Sequence, residues 1–368
     1  MSNRLLQIEA FGQSVWLDNL SRQLLDEGEL GSLIEQDGLT GLTSNPSIFE
    51  KSIGHSDRYD EMVRELSRES DDAQEIFEQL AYRDIRDAAD LLRPVFGRTG
   101  GQDGYVSFEL PASLAHDADS SVLAAQKHRS AIDRPNLLIK VPGTEAGVTA
   151  FEQLTALGVN VNVTLLFAVP RYEEIAEAYL RGLERRVERG EPVDGSASVA
   201  SFFVSRVDTK IDAELERLAR PDLCGRAAVA NAKLAYESFQ RIFSGPRWER
   251  LAALGANVQR PLWGSTSTKN PAYPDTLYVD ELIGPDTVNT MPDGTLAAAR
   301  DHATPARTVD RDLEAAHATM NAVREAGVDV DHIVLRQLVD EGVKAFGDAY
   351  DSLLATLEEK GRALAPSA

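Results

Sequence analysis

Apolar and β-branched residues gather in short runs at positions 14–20, 39–48, 105–110, 137–142, 161–167, 199–205, 259–265 and 287–292. Between the runs lie longer stretches, at 21–36, 73–92, 121–132, 146–157, 170–189, 209–218 and 227–243, whose apolar residues recur every three or four positions. The runs read as strands and the stretches as amphipathic helices. Strand–helix alternation repeated about eight times predicts parallel strands with helical crossovers, because parallel neighbours cannot be joined by tight hairpins. Eight such units predict an α/β fold of the closed (β/α)8 barrel type. An open doubly wound sheet is the alternative, but no Gly-x-Gly-x-x-Gly follows the first strand.

A barrel needs about 250 residues, fewer than the 368 present. The surplus is expected as extra helices in the strand 2–3 connection and at the C-terminus. Leu335, Leu338, Val339, Val343, Phe346, Tyr350, Leu353, Leu354 and Leu357 fall at helical spacing. They predict a helical extension over about 310–364 that packs on the barrel. No linker, low-complexity segment or internal repeat marks a second domain, so one barrel domain spanning 1–368 is expected.

Side chains two apart in a strand share a face, and barrel interiors are normally filled by branched apolar residues. Here polar residues recur on one parity: Trp16 with Asp18, Thr43 with Asn45, Ser107 with Glu109, Asn162 with Thr164, and Ser201 with Phe203. Lys140 stands alone among apolar neighbours in Leu-Leu-Ile-Lys-Val-Pro. Any one of these could end a strand and face solvent. The same habit in consecutive strands points instead to an active site at the strand ends.

The chain has eight lysines against thirty arginines. Arg cannot deprotonate in a protein, whereas a lysine desolvated among apolar strands can, which yields an amine able to attack a carbonyl. On spacing alone, Lys140 could equally form a salt bridge with Glu109 or Asp18.

A formal net charge of −21 opposes broad binding to nucleic acid or anionic lipid. An anionic substrate would require a local positive pocket. The one cysteine, Cys224, excludes an intramolecular disulfide and a thiolate metal cluster; lying near a helix from 227 onward, it is expected as packing. His55, His116, His128, His302, His317 and His332 lie outside the strands with no i, i+4 pair, so no metal site is expected. Residues 1–10 lack the apolar run of a signal peptide. No stretch approaches the ~20 apolar residues of a membrane span, so a cytoplasmic protein without a membrane partner is expected. The turn Val141-Pro142-Gly143-Thr144 before a helix could receive an anion or be a plain strand–helix turn.

Three segments together resemble the transaldolase family: Gly-Leu-Thr-Ser-Asn-Pro-Ser at 41–47, Asn-Leu-Leu-Ile-Lys-Val-Pro-Gly-Thr-Glu-Ala-Gly at 136–147, and Val-Asn-Val-Thr-Leu-Leu-Phe at 161–167. Thr-Ser-Thr-Lys-Asn-Pro at 266–271 and Leu-Val-Asp-Glu-Gly-Val at 338–343 are similar to its extended bacterial branch. The resemblance implies a cofactor-free class I aldolase mechanism acting on sugar phosphates. Lys140 would form a Schiff base with the C2 carbonyl of a ketose phosphate. Asp18 would take the C4 hydroxyl proton, and Glu109 would pass protons through a water held with Thr164. Asn45 and Asn162 would hold the hydroxyls of the retained three-carbon unit, with Ser201 and Phe203 lining the pocket. Arg206, Ser267 and Lys269 would bind phosphate. Lys269 departs from the better-known branch of the family, which has Arg at that position, and so keeps the charge but loses the bidentate contact.

The implied reaction moves dihydroxyacetone from sedoheptulose 7-phosphate to glyceraldehyde 3-phosphate in the pentose phosphate pathway. Two other readings stand beside it. One is an aldolase that releases free dihydroxyacetone, a shorter subfamily with Tyr in place of Phe203. The other is a non-catalytic sugar-phosphate-binding protein that kept the barrel. Nothing in the sequence fixes the oligomeric state.

Overall fold

Eight parallel strands close on themselves in chain order, with the last paired to the first. They are β1 Gln13–Leu17, β2 Gly41–Thr43, β3 Tyr105–Glu109, β4 Leu137–Pro142, β5 Val161–Leu166, β6 Ser198–Phe203, β7 Gln259–Gly264 and β8 Thr287–Met291. The structure is a computed structural model and describes residues 3–54 and 56–364. His55 and the first two residues read for a leader lie outside it. Among the described residues no helix is long and apolar enough to cross a membrane.

Outward-facing residues such as Val15, Leu17, Val106, Phe108, Ile139, Val141 and Val163 join the core beneath the helices. The inward parity splits into two levels. At the level below the polar one, Trp16, Tyr105, Leu138, Val199, Leu262 and Val288 form an apolar plug. Gly41 belongs to that level because the Trp16 indole occupies its side-chain space: a Cβ there would lie 2.5 Å from the ring. The indole Nε1 donates to Asp103 at 2.8 Å, and Arg260 pairs with the same carboxylate at 3.4 Å. A cavity of about 450 Å³ opens beside this pair, at the end of the barrel opposite the polar cluster. Above the plug the inward residues turn polar.

Several boundaries differ from the sequence expectation. The second strand ends at Thr43 rather than running to 48, because Pro46 opens a helix, Pro46–Gly54. Proline suits a first helical turn, where its missing N–H costs nothing, and the Asn45 side chain accepts from Ile48 N at 3.0 Å. The first strand stops at Leu17, one residue before Asp18. The helix expected over 21–36 is two, Arg22–Asp26 and Glu29–Asp37, divided at Gly28, whose φ is +71°. Cys224 follows a short 3-10 turn, Pro221–Leu223, and is half-buried ahead of the helix Ala227–Ile242.

The 141–144 segment is a capped strand–helix turn: Thr144 Oγ1 accepts from Gly147 N at 3.0 Å and starts the helix Glu145–Ala156. The strand 2–3 connection carries Pro46–Gly54, Asp60–Leu66 and Ala73–Arg98. After β8 come Asp293–His302, Leu313–Glu325 and, following one π-helical turn at Ile333–Gln337, the long helix Leu338–Leu364. That last helix packs against Pro46–Gly54, against the connection after β3, and against β5.

Candidate active site

Strand register sets the polar level. Thr43 lies opposite Ser107, Glu109 opposite Lys140, Lys140 opposite Asn162, and Pro142 opposite Thr164. Adjoining strands therefore bring Glu109, Lys140 and Asn162 side by side at the C-terminal end of the barrel, the end at which barrel enzymes act.

Lys140 is 4% exposed. Its Nζ donates to Glu109 Oε2 at 2.8 Å and to the Ser44 carbonyl at 2.9 Å. The ion pair that the spacing allowed is therefore present, and its partner is Glu109. Asp18 opens onto the same cavity and accepts from Thr43 Oγ1 at 2.7 Å; Thr43 in turn meets Thr290 Oγ1 at 2.8 Å. Asn162 is fully buried behind the lysine. It donates to Ser107 Oγ at 3.1 Å and accepts from Ser201 Oγ at 2.6 Å. The Thr164 hydroxyl is buried with no hydrogen-bond partner among the described residues, so its bonding capacity is left for a ligand or water.

The cavity at this end is about 150 Å³. Asp18, Asn45, Lys140, Thr164, Ser201, Phe203, Arg206, Ser267 and Lys269 all line it; Glu109 and Asn162 stand one step behind, reached through Lys140 and Ser201. Thr43, placed on the inward polar face by its parity, lines it too, whereas sequence reasoning did not place Thr290, Ser265 or Phe346 there. Phe346 gave no hint, because on a helical apolar stripe it looks like core.

Burial pushes the Glu109 carboxyl above the ordinary carboxylate range; the Lys140 ammonium opposes this, and the Asp18 charge adds to it. Burial also raises Asp18, against the pull of Lys140 and the Thr43 hydrogen bond. Two carboxyls held ready to take protons beside one buried amine are the groups that general acid–base chemistry on a carbonyl requires.

At the rim, Arg206 lies in the first turn of the helix Ser205–Arg217, its guanidinium carbon 5.2 Å from the Phe203 ring centroid. Burial lowers its affinity for a proton, opposed by Glu109, Glu341 and Asp18. Asp208 is occupied elsewhere, by Ala228 N at 2.7 Å and Tyr278 OH at 2.9 Å, so among the described residues Arg206 is in no ion pair. Lys269 is exposed and donates to Ser267 Oγ at 2.7 Å. Tyr273 OH, on the same loop, donates to Asp212 at 2.7 Å and ties the loop to the helix that carries Arg206. The two cations and Ser267 form a local positive rim on a strongly acidic protein, suited to an anionic group such as phosphate.

His128 is buried against Tyr82 OH at 2.7 Å, and burial pushes its imidazole down to about 4. It is a packed neutral ring. Among the described residues no group of three or more His, Cys, Asp or Glu could hold a metal ion.

Residues 15–357 match the family model described as Transaldolase/Fructose-6-phosphate aldolase. The chain is similar to Transaldolase 2 of Nostoc sp., 44% identical over 377 residues and covering 99% of each chain. It is 48% identical over 353 residues to a transaldolase of Thiobacillus denitrificans, covering 95% of this chain and 98% of the relative. Transaldolase 2 of Streptomyces avermitilis is 45% identical over 371 residues, covering 100% of both.

Proposed function

The chain belongs to the transaldolase/fructose-6-phosphate aldolase family, and from that premise we propose how its barrel transfers a dihydroxyacetone unit. The protein is a transaldolase of the pentose phosphate pathway. Its donor is sedoheptulose 7-phosphate, its acceptor glyceraldehyde 3-phosphate, and its products erythrose 4-phosphate and fructose 6-phosphate. The setting is cytoplasmic, with neither nucleic acid nor membrane as partner.

The observation that carries the mechanism is a lysine 4% exposed whose Nζ lies 2.8 Å from a carboxylate. Glu109, raised by burial, takes the ammonium proton across that contact and leaves a free amine. The amine adds to C2 of the ketose, and Glu109, through a water held with Thr164, protonates the departing oxygen. Water leaves and an iminium remains. Asp18 then takes the C4 hydroxyl proton, the C3–C4 bond breaks, and its electron pair flows into the iminium to give an enamine. The aldehyde fragment departs. The enamine adds to the acceptor aldehyde, and the same steps run backwards to release product.

Asn45 and Ser201 hold the hydroxyls of the retained unit. Asn162 fixes Ser201 from behind and acts on the retained unit through that hydroxyl. Phe203 closes one side, and Arg206, Ser267 and Lys269 bind the phosphate. No cofactor is required, since the iminium is the electron sink.

Borohydride reduction in the presence of fructose 6-phosphate should leave a three-carbon or whole-sugar adduct on Lys140, read by peptide mass. A folded protein without that adduct sinks the proposal.

A further inference from the structure

The helix Leu338–Leu364 comes down onto the mouth of the barrel at fixed points. Gly342 seats on Leu165; a Cβ at that glycine would lie 2.8 Å from Leu165 Cδ2. Leu165 has a φ of +57° and marks the irregularity where β5 changes register against β6, immediately after Thr164. On the same turn, Glu341 pairs with Lys210 at 2.8 Å, on the helix that carries Arg206. One turn further, Phe346 is 7% exposed and its ring centroid lies 5.8 Å from Lys140 Nζ. That distance is within cation–π range. The helix thus delivers an aromatic face to the nitrogen on which the chemistry turns, one turn past its anchors.

We propose that Phe346 decides whether the three-carbon unit on Lys140 is passed to an acceptor aldehyde or lost to water. This inference rests on the Schiff-base reading above. In the loss route the enamine carbon takes a proton and regenerates the iminium. A water oxygen then bonds to C2, a proton moves to nitrogen, and the C2–N bond breaks, giving free dihydroxyacetone and the Lys140 amine. The ring acts at the step that transfer does not share: it covers one approach to the enamine beside Nζ, keeping water from bringing a proton to that carbon, whereas hydrolysis of the iminium is common to both routes.

The test uses Phe346→Ala, Phe346→Leu and Phe346→Tyr with fructose 6-phosphate as donor. Free dihydroxyacetone and transferred product are measured in parallel as acceptor is varied. The release-to-transfer ratio is expected to rise about tenfold in F346A, equivalent to about 1.4 kcal/mol. F346L, which keeps bulk but not the ring face, should fall between, and F346Y should stay near the parent ratio. An unchanged ratio in F346A and F346L, even with both rates reduced, overturns the inference, because a merely structural residue lowers release and transfer together. If F346A does not fold, F346L is judged by the same criterion. Failure of the underlying Schiff-base reading looks different: the unmodified protein would give no borohydride adduct on Lys140.

Discussion

Gly41→Ala puts a single methyl group where the Trp16 indole already sits. The new Cβ would lie 2.5, 2.7 and 2.7 Å from three indole atoms, whereas ordinary contact begins at 3.4 Å. The ring must therefore retreat by at least 0.9 Å, the difference between 3.4 and 2.5 Å. It has little freedom to do so: it is wholly buried, packed with Tyr105, Leu138, Val199, Leu262 and Val288, and its Nε1 is bonded to Asp103 at 2.8 Å. Overpacking of this kind costs ~1–3 kcal/mol, and weakening a buried hydrogen bond to a carboxylate adds ~1.5–3 kcal/mol. The expected loss is ~2.5–6 kcal/mol, large against the 5–15 kcal/mol typical of a folded domain.

Asp18 lies two residues beyond Trp16, so activity should fall as well, by roughly tenfold to a hundredfold for a displacement near 1 Å. Urea unfolding followed by circular dichroism reads the stability, and steady-state transfer reads the activity. Trp16→Leu removes the obstructing ring, so the double variant should be less destabilised than the sum of the singles, with a coupling of at least ~1 kcal/mol. A G41A protein within ~0.5 kcal/mol of the parent, the range of an inconsequential surface change, would refute the reasoning, as would strict additivity in the cycle.

Lys140→Arg keeps a cation opposite Glu109, so the protein should fold; but a guanidinium cannot shed its proton, and both borohydride adduct and turnover should vanish. The raised carboxyls of Asp18 and Glu109 place the acidic limb of kcat/KM above the ordinary carboxylate value of ~4; a limb found near 4 in the pH–rate profile would contradict it. The same two groups hold protons more tightly folded than unfolded. Their contribution to stability is complete below the unfolded value and is lost as pH rises through the folded one, so denaturant midpoints of D18N and E109Q should depend less on pH across that window than the parent's. Arg206→Ala should raise KM for fructose 6-phosphate by roughly tenfold to a hundredfold, the worth of ~1.5–3 kcal/mol in charge-assisted hydrogen bonds, and should leave KM for unphosphorylated fructose nearly unchanged; equal effects on both sugars would remove it from the phosphate rim.

Much of this arrangement could be read from strand parity. Asp18, Glu109, Lys140, Thr164 and Ser201 stand out because period-two alternation assigns each a face before any strand is paired, and a polar face inside a barrel is anomalous. Asn45 was found for a partly wrong reason: it shares its parity with Thr43, yet it lies past the strand as the cap of a helix whose proline marks the true boundary. The rest was hidden because it depends on tertiary approach. Phe346 is indistinguishable in sequence from Leu353 on the same apolar stripe, and only the docking of the helix separates one residue beside Nζ from another in the core. The left-handed Leu165 carries no glycine or asparagine to announce it. The Asp103–Arg260 pair beneath Trp16 joins a loop residue to a distant strand, a link that local patterning does not encode.

The helix from Leu338 follows the eighth strand, so a chain that stops between them keeps all eight strands, Lys140 and Glu109 but not the ring of Phe346. Chains cut short by proteolysis or a premature stop would then carry reactive nitrogen without its aromatic cover. If the ring acts as proposed, such fragments would squander sugar as free triose, a metabolic leak that gives the cell a direct reason to clear them.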